Sequence, residues 1–154
     1  MRILSGNFTG NASAGRAITG VGFAPDLVII KNVDNTTDTW FKTIEMSSTQ
    51  SAPMRSDAAT DTTHITALGS DGFTVSADSA VNGNTQTIVW LAMKDDGAGD
   101  FDTFTYTGDN TDDKLVFSAF QPTFALIKSN FTIVGAEKFA GQASATGTPA
   151  SNFA

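Results

Sequence analysis

Short runs of β-forming residues, separated by turn-forming ones, constrain the fold of this chain more than any other feature of its sequence. Apolar, β-branched and aromatic residues alternate or cluster in these runs. The runs cover residues 17–19, 26–31, 73–75, 85–93 and 103–107. Strands divided by Gly, Asn, Asp and Ser every ~8–12 residues predict an all-β antiparallel sandwich or jelly-roll. The best helical stretch, residues 51–61, is expected to form at most one turn over an open end of the sandwich.

An internal repeat gives the chain a second level of organisation. Phe-Thr-Gly-Asn at residues 8–11 corresponds to Tyr-Thr-Gly-Asp at residues 106–109. Phe-x-Pro, followed by an apolar strand and a lysine, occurs at residues 23–31 and again at residues 120–128. The offset is 98 residues for the first motif and 97 for the second. Because proline lacks a backbone donor, each Phe-x-Pro is expected at the start of a strand or at a bulge.

The second copy of the repeat is shorter than the first. We predict one sandwich unit over residues 1–98 and a partial unit over residues 99–154 that ends in an extended C-terminal arm. A partial sandwich leaves an apolar face and a sheet edge uncovered. Either the second unit extends the first unit's sheet, or a neighbouring subunit covers it by edge-strand addition or exchange of the arm. The predicted interface residues are the phenylalanines Phe124, Phe131, Phe139 and Phe153.

The composition excludes several classes of function. Charged residues make up 16% of the chain, against about 25% in an average soluble domain, and the net charge is −7. A nucleic-acid-binding protein needs stripes of Lys and Arg, which this sequence lacks. The absence of cysteine excludes disulfides, thiolate zinc sites and cysteine nucleophiles. With one histidine and two glutamates for acid–base chemistry, we expect a binding or structural protein rather than an enzyme.

Neither a membrane segment nor an export signal is apparent in the sequence. No apolar run approaches the ~18–20 residues that cross a bilayer, and residues 1–6 are not followed by the apolar core of a signal peptide. We therefore expect synthesis in a host cytoplasm and no membrane partner. Since the Thr-, Ser-, Asn- and Gly-rich composition is typical of surface proteins, release as part of a particle is one route that reconciles the two observations.

Three signatures of the sequence are similar to a repeat family of bacteriophage virion proteins, chiefly tail-fibre and related structural proteins. They are the aromatic-Thr-Gly-Asn/Asp motif, the Gly-Phe-x-Pro-Asp-Leu-Val segment, and Ser-Asp-Gly-Phe-Thr-Val followed by Val-Asn and a Trp-containing strand. The first motif lies at residues 8–11 and 106–109, and the second at residues 22–31. The third lies at residues 70–75, 81–82 and 88–94. The resemblance implies a β-sandwich of concanavalin-like or jelly-roll type in the outer parts of a virion, and it implies no catalytic residue.

The length of the chain separates two functions within that family. Fibre proteins embed the repeat in a much longer polypeptide, whereas this sequence has 154 residues. The expected function is therefore a capsid decoration (cement) protein on the virion surface, a homo-oligomer and by expectation a trimer, with the major capsid protein or another virion protein as its partner. The alternative is a tail-fibre adhesion module that binds host-surface carbohydrate.

One acidic turn is the candidate metal site. It contains Asp95, Asp96, Asp100 and Asp102 among glycines. Such hard oxygen ligands suit Ca²⁺, which takes 6–8 oxygens, but the spacing is not that of an EF-hand. The competing interpretation is a set of solvated carboxylates that favour solubility. No other cofactor is expected.

Two aromatic positions and the single histidine complete the candidates. Trp40 follows a turn-rich stretch and is the candidate sugar-stacking residue, with a place in the core or an interface as the alternative. Trp90 lies within an apolar strand and is expected in the core. His64 has no partnering catalytic motif and is expected to be a polar loop residue, with Asp61 as its nearest acid along the chain.

Overall fold

The computed structural model describes residues 1–55, 60–109 and 115–128, together with the backbone of residues 138–140. Its strands are β1 (Arg2–Thr9), β2 (Arg16–Thr19), β3 (Leu27–Asn32), β4 (Trp40–Thr43), β5 (Ala52–Pro53), β6 (Ile65–Gly69), β7 (Gly72–Val75), β8 (Thr87–Lys94), β9 (Ala125–Ile127) and β10 (Lys138–Ala140). A four-residue helix, α1 (Ser79–Asn82), lies between β7 and β8. No helix in these ranges has the length and apolar character needed to cross a membrane.

Strands β1 to β8 form two antiparallel sheets. The larger sheet has the order β1-β8-β3-β4-β5, and the smaller has the order β2-β7-β6. Buried side chains from both sheets belong to a single apolar cluster, which includes Val28 and Ile88 from the larger sheet and Phe73 and Val75 from the smaller one. The prediction of an all-β antiparallel sandwich is therefore confirmed.

Alternation along the strands places the core between the sheets. In β3, Val28, Ile30 and Asn32 are buried while the residues between them are partly exposed. Because successive side chains of a strand point to opposite faces, every second residue of β3 faces the smaller sheet. Trp90 of β8 is half-buried and packs edge-on against Phe73, with ring centroids 5.7 Å apart.

Two glycines of the signature motifs allow close approach of the backbone. A Cβ atom at Gly10 would overlap the carbonyl oxygen of Gly83, and one at Gly72 would overlap that of Ile18. Gly72 also has a φ of +153°, which disfavours any residue with a side chain. Glycine at these two motif positions therefore allows neighbouring backbone segments to approach closely.

The helical turn expected over residues 51–61 is wrong for the part that the structure describes. Ser51 forms a bridge with Asp61, and Ala52 and Pro53 form β5 beside β4. The helix is instead α1, where the Asp78 side chain accepts a hydrogen bond from the backbone N–H of Ala80 and Gly83 follows the last turn. Asp and Gly at these positions are start and stop signals that periodicity alone does not detect in so short a segment.

The second copy of the repeat contributes a two-stranded hairpin. β9 pairs antiparallel with β10, with Leu126 opposite Phe139, just as β3 pairs with β4, with Ile29 opposite Phe41. Positions 29 and 126 differ by 97, and positions 41 and 139 differ by 98, which are the two offsets found between the motifs. The hairpin thus has the backbone pairing of its counterpart, while the division into units 1–98 and 99–154 stays a prediction.

Candidate functional site

Trp40 and His64 form a stacked pair inside the sandwich. Their ring centroids are 3.3 Å apart with an angle of 13° between the planes. Trp40 is 7% exposed and His64 is 6% exposed. Trp40 has the core position that was the alternative to sugar stacking, and it lacks the open face that stacking requires. His64 lies in the bend before β6, as expected of a loop residue, but it is buried.

Carboxylates flank the imidazole of His64 on both sides. Asp78 places Oδ1 3.5 Å from Nε2, and Asp61 places Oδ2 3.9 Å from Nδ1. Burial is the largest influence and lowers the pKa of His64, while the charges of Asp78, Asp61 and Asp38 act in the opposite direction. The ring is therefore neutral near pH 7.

The arrangement places a hydroxyl, an imidazole and a carboxylate in sequence. The Oγ1 atom of Thr63 lies 3.2 Å from His64 Nδ1, and it also lies 3.0 Å from Oδ1 of Asp61, to which it donates. A hydroxyl that donates to a carboxylate does not offer its proton to the imidazole, as nucleophilic catalysis requires. The chemical capacity of this cluster is to take up a proton in a buried position.

We expect acid to destabilise the fold through His64. Because the pKa of His64 is lowered in the native state, the unfolded chain binds this proton more tightly. The contribution of His64 to the free energy of unfolding is therefore complete above pH 6.5, and it falls as the pH drops toward the native pKa. One proton limits the loss to about 1.4 kcal/mol per pH unit. Urea midpoints between pH 8 and pH 5 measure it, because most carboxylates titrate below this window.

The matched control is His64→Phe, which keeps an aromatic ring against Trp40 and removes the titrating group. Its unfolding midpoint should change less between pH 8 and pH 5 than that of the original protein. Equal pH dependence in the two proteins would show that His64 does not cause the loss.

The acidic turn brings together three of the four predicted aspartates. One carboxylate oxygen from each of Asp95, Asp96 and Asp100 lies within 4.8 Å of the others, whereas Asp102 is not a member of the group. The amino group of Met1 already lies 2.6 Å from Asp96 and 2.7 Å from Asp100. This ammonium group, and hydrogen bonds from backbone N–H groups, lower the pKa of Asp96.

The fit of this turn to Ca²⁺ is poor. Oδ1 of Asp95 accepts the N–H of Gly97, and Oδ1 of Asp96 accepts the N–H of Ala98, so two of the oxygens have partners. A calcium ion needs 6–8 oxygens and would compete with the bound ammonium group. Calcium binding at the turn stays a prediction that these contacts do not favour.

The structure describes the side chain of one of the four predicted interface phenylalanines. Phe124 is 65% exposed and is available for contact. Phe139 lies on β10, of which only the backbone is described, and Phe131 and Phe153 lie outside the described residues. An interface at these four positions stays a prediction.

Asn82 is a buried polar residue whose importance the sequence analysis missed. Its Oδ1 atom accepts hydrogen bonds from the backbone N–H of Asn11 and from the guanidinium of Arg16. Its Nδ2 group donates to the carbonyls of Ser13 and Ser76. The Val-Asn signature therefore joins the loop after β1 to the turn before β8, and its place in the third signature motif was the available signal.

Lys42 is a second residue that pattern analysis did not single out. It is 3% exposed, and its Nζ group donates to the carbonyls of Ser47 at 2.7 Å and Gln50 at 2.6 Å. Burial lowers its pKa. It lines a cavity of about 180 Å³ whose walls include Met46 and Leu68. Because both of its hydrogen bonds hold the loop after β4, we assign Lys42 a structural role.

The family of the chain follows from a match that covers most of the sandwich. Residues 4–104, which include nearly all of β1 and every strand through β8, match the family described as "Domain of unknown function (DUF7483)". The chain belongs to the DUF7483 family. No curated protein and no solved structure matches it. The DUF7483 region therefore contains the His64 cluster and the acidic turn, and it ends before β9.

Proposed function

We propose that this DUF7483 protein is a non-catalytic structural component of a bacteriophage particle. In this proposal it is a capsid decoration protein that binds the outer shell as a homo-oligomer, at the surface of the virion. The bacteriophage assignment depends on the resemblance of its sequence signatures. The assembly role depends on the surface of its C-terminal third.

The observation that carries the proposal is an accumulation of exposed apolar side chains after the sandwich. Phe117 is 85% exposed, Phe124 is 65% exposed and Leu115 is 64% exposed. Phe104, Tyr106, Val116 and Ile127 are exposed as well. Exposed apolar side chains concentrated in one segment of a soluble protein support an interaction site there. Covering it contributes ~25 cal/mol for each Å² removed from water, before the costs of association.

The polar groups of the sandwich support a structural rather than catalytic role. Asn82, Asn32 and Lys42 are buried, and each donates to or accepts from neighbouring backbone groups. The net charge of −7 favours dispersal of free subunits before assembly, and it disfavours contact with packaged DNA. Both properties support the proposed decoration role.

The alternative, a tail-fibre module that binds host-surface carbohydrate, has less support. It depended on Trp40, whose ring lies in the core against His64. Among the described residues, no observation favours another aromatic platform over an apolar assembly surface.

We expect the purified protein to co-sediment with expanded capsids of a phage that encodes it and to raise their melting temperature. The double variant Phe117→Ser/Phe124→Ser should bind at least about tenfold more weakly, because burial of a single phenylalanine contributes about 1.5–3 kcal/mol. Sedimentation of titrated mixtures measures the affinity.

Val33→Ser is the matched control, since Val33 is 51% exposed on the sandwich itself. It should bind capsids as the original protein does. Absence of co-sedimentation by the original protein would contradict decoration, and glycan binding under those conditions would favour the adhesion module.

A further inference from the structure

The first strand, β1, is an open edge of the larger sheet. It is eight residues long and pairs with β8 on one side, and no strand among the described residues lies on its other side. Residues Arg2 to Ser5 are exposed, and Ile3 is 55% exposed. A long unpaired edge is a template for another strand, and most proteins protect such edges.

The register identifies which backbone groups of β1 face outward. The pairing with β8 continues from Thr9 opposite Thr87 to Gly10, whose N–H donates to the carbonyl of Gln86. In an antiparallel pair the hydrogen-bonded positions alternate, so even-numbered residues of β1 bond to β8 and odd-numbered residues face away. The outward carbonyl of Thr9 agrees with this parity, because it accepts from Arg16 rather than from β8.

Three consecutive outward positions of β1 are free. The backbone N–H and C=O groups of Ile3, Ser5 and Asn7 have no hydrogen-bond partner within the described ranges. The strand has no proline, no lysine and no bulge, which are the usual protections of an edge. The other edges differ: β5 and β2 have two and four residues, and β6 contains an irregularity between Ile65 and Ala67.

We propose that β1 pairs antiparallel with β1 of a second copy of this chain, about a two-fold axis at Ser5. This register sets Ile3 opposite Asn7, Ser5 opposite Ser5 and Asn7 opposite Ile3, and each pair exchanges two hydrogen bonds. An axis at Leu4 leaves Asn7 without a partner among the three free residues. An axis at Gly6 places Ile3 opposite Thr9, whose carbonyl already accepts a hydrogen bond from Arg16. The Ser5 axis is therefore the register that uses every free group.

The side chains of β1 are self-complementary in this register. Leu4 of one copy lies opposite Gly6 of the other, in the position where side chains approach most closely. Leu4 is 41% exposed, and the partly exposed ring of Trp90 lies directly over Gly6, since a Cβ atom there would lie 2.6 Å from Cζ2 of that ring. The leucine of each copy thus covers the glycine and tryptophan of the other.

The pairing makes a continuous sheet across two copies and has a definite response to salt. Each copy carries a net charge of −7, so the copies repel each other and added salt screens that repulsion. Dimer affinity should rise with ionic strength, because the backbone hydrogen bonds and apolar contacts are not salt-weakened. A two-fold contact builds even-numbered assemblies, which differs from the trimer expected from the sequence.

Amide hydrogen exchange of the isolated full-length protein, followed residue by residue by NMR over a concentration series, tests the proposal. The amides of Ile3, Ser5 and Asn7 should become protected as the dimer forms, by at least about tenfold. The amides of Leu4 and Phe8, which bond to β8, should be protected at every concentration. Analytical ultracentrifugation should show dimers in the same range.

Ser5→Pro removes the central outward N–H and should abolish the dimer while leaving the monomer folded, because proline is tolerated at an edge position whose N–H faces solvent. Ser5→Lys is a second variant that places like charges opposite each other, and Ser5→Thr is the control that should still dimerise. A protein that remains monomeric, or that associates without protection of the odd-numbered amides, would overturn the proposal. Capsid binding does not enter this experiment, so its failure and the failure of the proposed function are distinguishable.

Discussion

Replacing Gly72 with alanine is expected to destabilise the DUF7483 sandwich by about 3–5 kcal/mol, since strain at a rare φ and overpacking each cost about 1–3 kcal/mol. Gly72 begins β7 with a φ of +153°, and a Cβ atom there would overlap the carbonyl oxygen of Ile18 on the neighbouring strand. That carbonyl belongs to β2, so relief of the clash requires the separation of two paired strands. The loss is a large fraction of the ~5–15 kcal/mol that stabilises a typical domain.

Gly69→Ala is the matched control in the same hairpin. Gly69 pairs with Gly72 across the turn, but its φ is not in the positive range and the nearest atom to an added Cβ is 3.6 Å away. Its unfolding free energy should change by less than about 1 kcal/mol. Urea denaturation of both variants measures the difference, and equal losses would contradict the assignment of strain to Gly72.

Replacing Asn82 with alanine is expected to cost about 3–5 kcal/mol, since each buried group left without a partner costs about 1–3 kcal/mol. The side chain is fully buried and makes hydrogen bonds to Asn11, Arg16, Ser13 and Ser76. Alanine has no atom that replaces any of these partners. The loop after β1 should therefore lose its side-chain attachment to α1 and keep the backbone hydrogen bond from the N–H of Ala12 to the carbonyl of residue 82.

Asn84→Ala serves as the control, because Asn84 lies two residues away and is exposed. Its free energy of unfolding should change by at most about 0.5 kcal/mol. Thermal or urea unfolding distinguishes the two variants. A small effect at Asn82 would mean that water replaces the lost contacts, and the motif would then need another explanation.

The sequence predicted several strands well because their signal is local. The run at residues 103–107 is an exception: it was predicted as a strand, and the structure shows no strand there. Apolar, β-branched runs mark β3 and β8, and turn-forming residues mark their ends, so the all-β sandwich follows from residues close together along the chain. The helix α1 was missed because four residues are too few to show a helical period.

The site was predicted less well because its contacts are distant along the chain. Trp40 and His64 are separated by 24 positions, and nothing near either residue indicates that their rings stack. The inward position of Lys42 depends on carbonyls of a loop that folds over it. The acidic turn was found because its aspartates are neighbours in sequence, although Asp102 lies outside the group and a terminal amino group lies between two of the others.

The enclosure of Lys42 has a consequence for chemical mapping of any assembly that this protein forms. Its amine is shielded from solvent and engaged by two carbonyls, so acylating crosslinkers reach it only when the chain opens. Lys31, Lys94 and Lys128 are more accessible. A crosslink at Lys42 is therefore a report of unfolding, whereas crosslinks at the other three report proximity between native subunits.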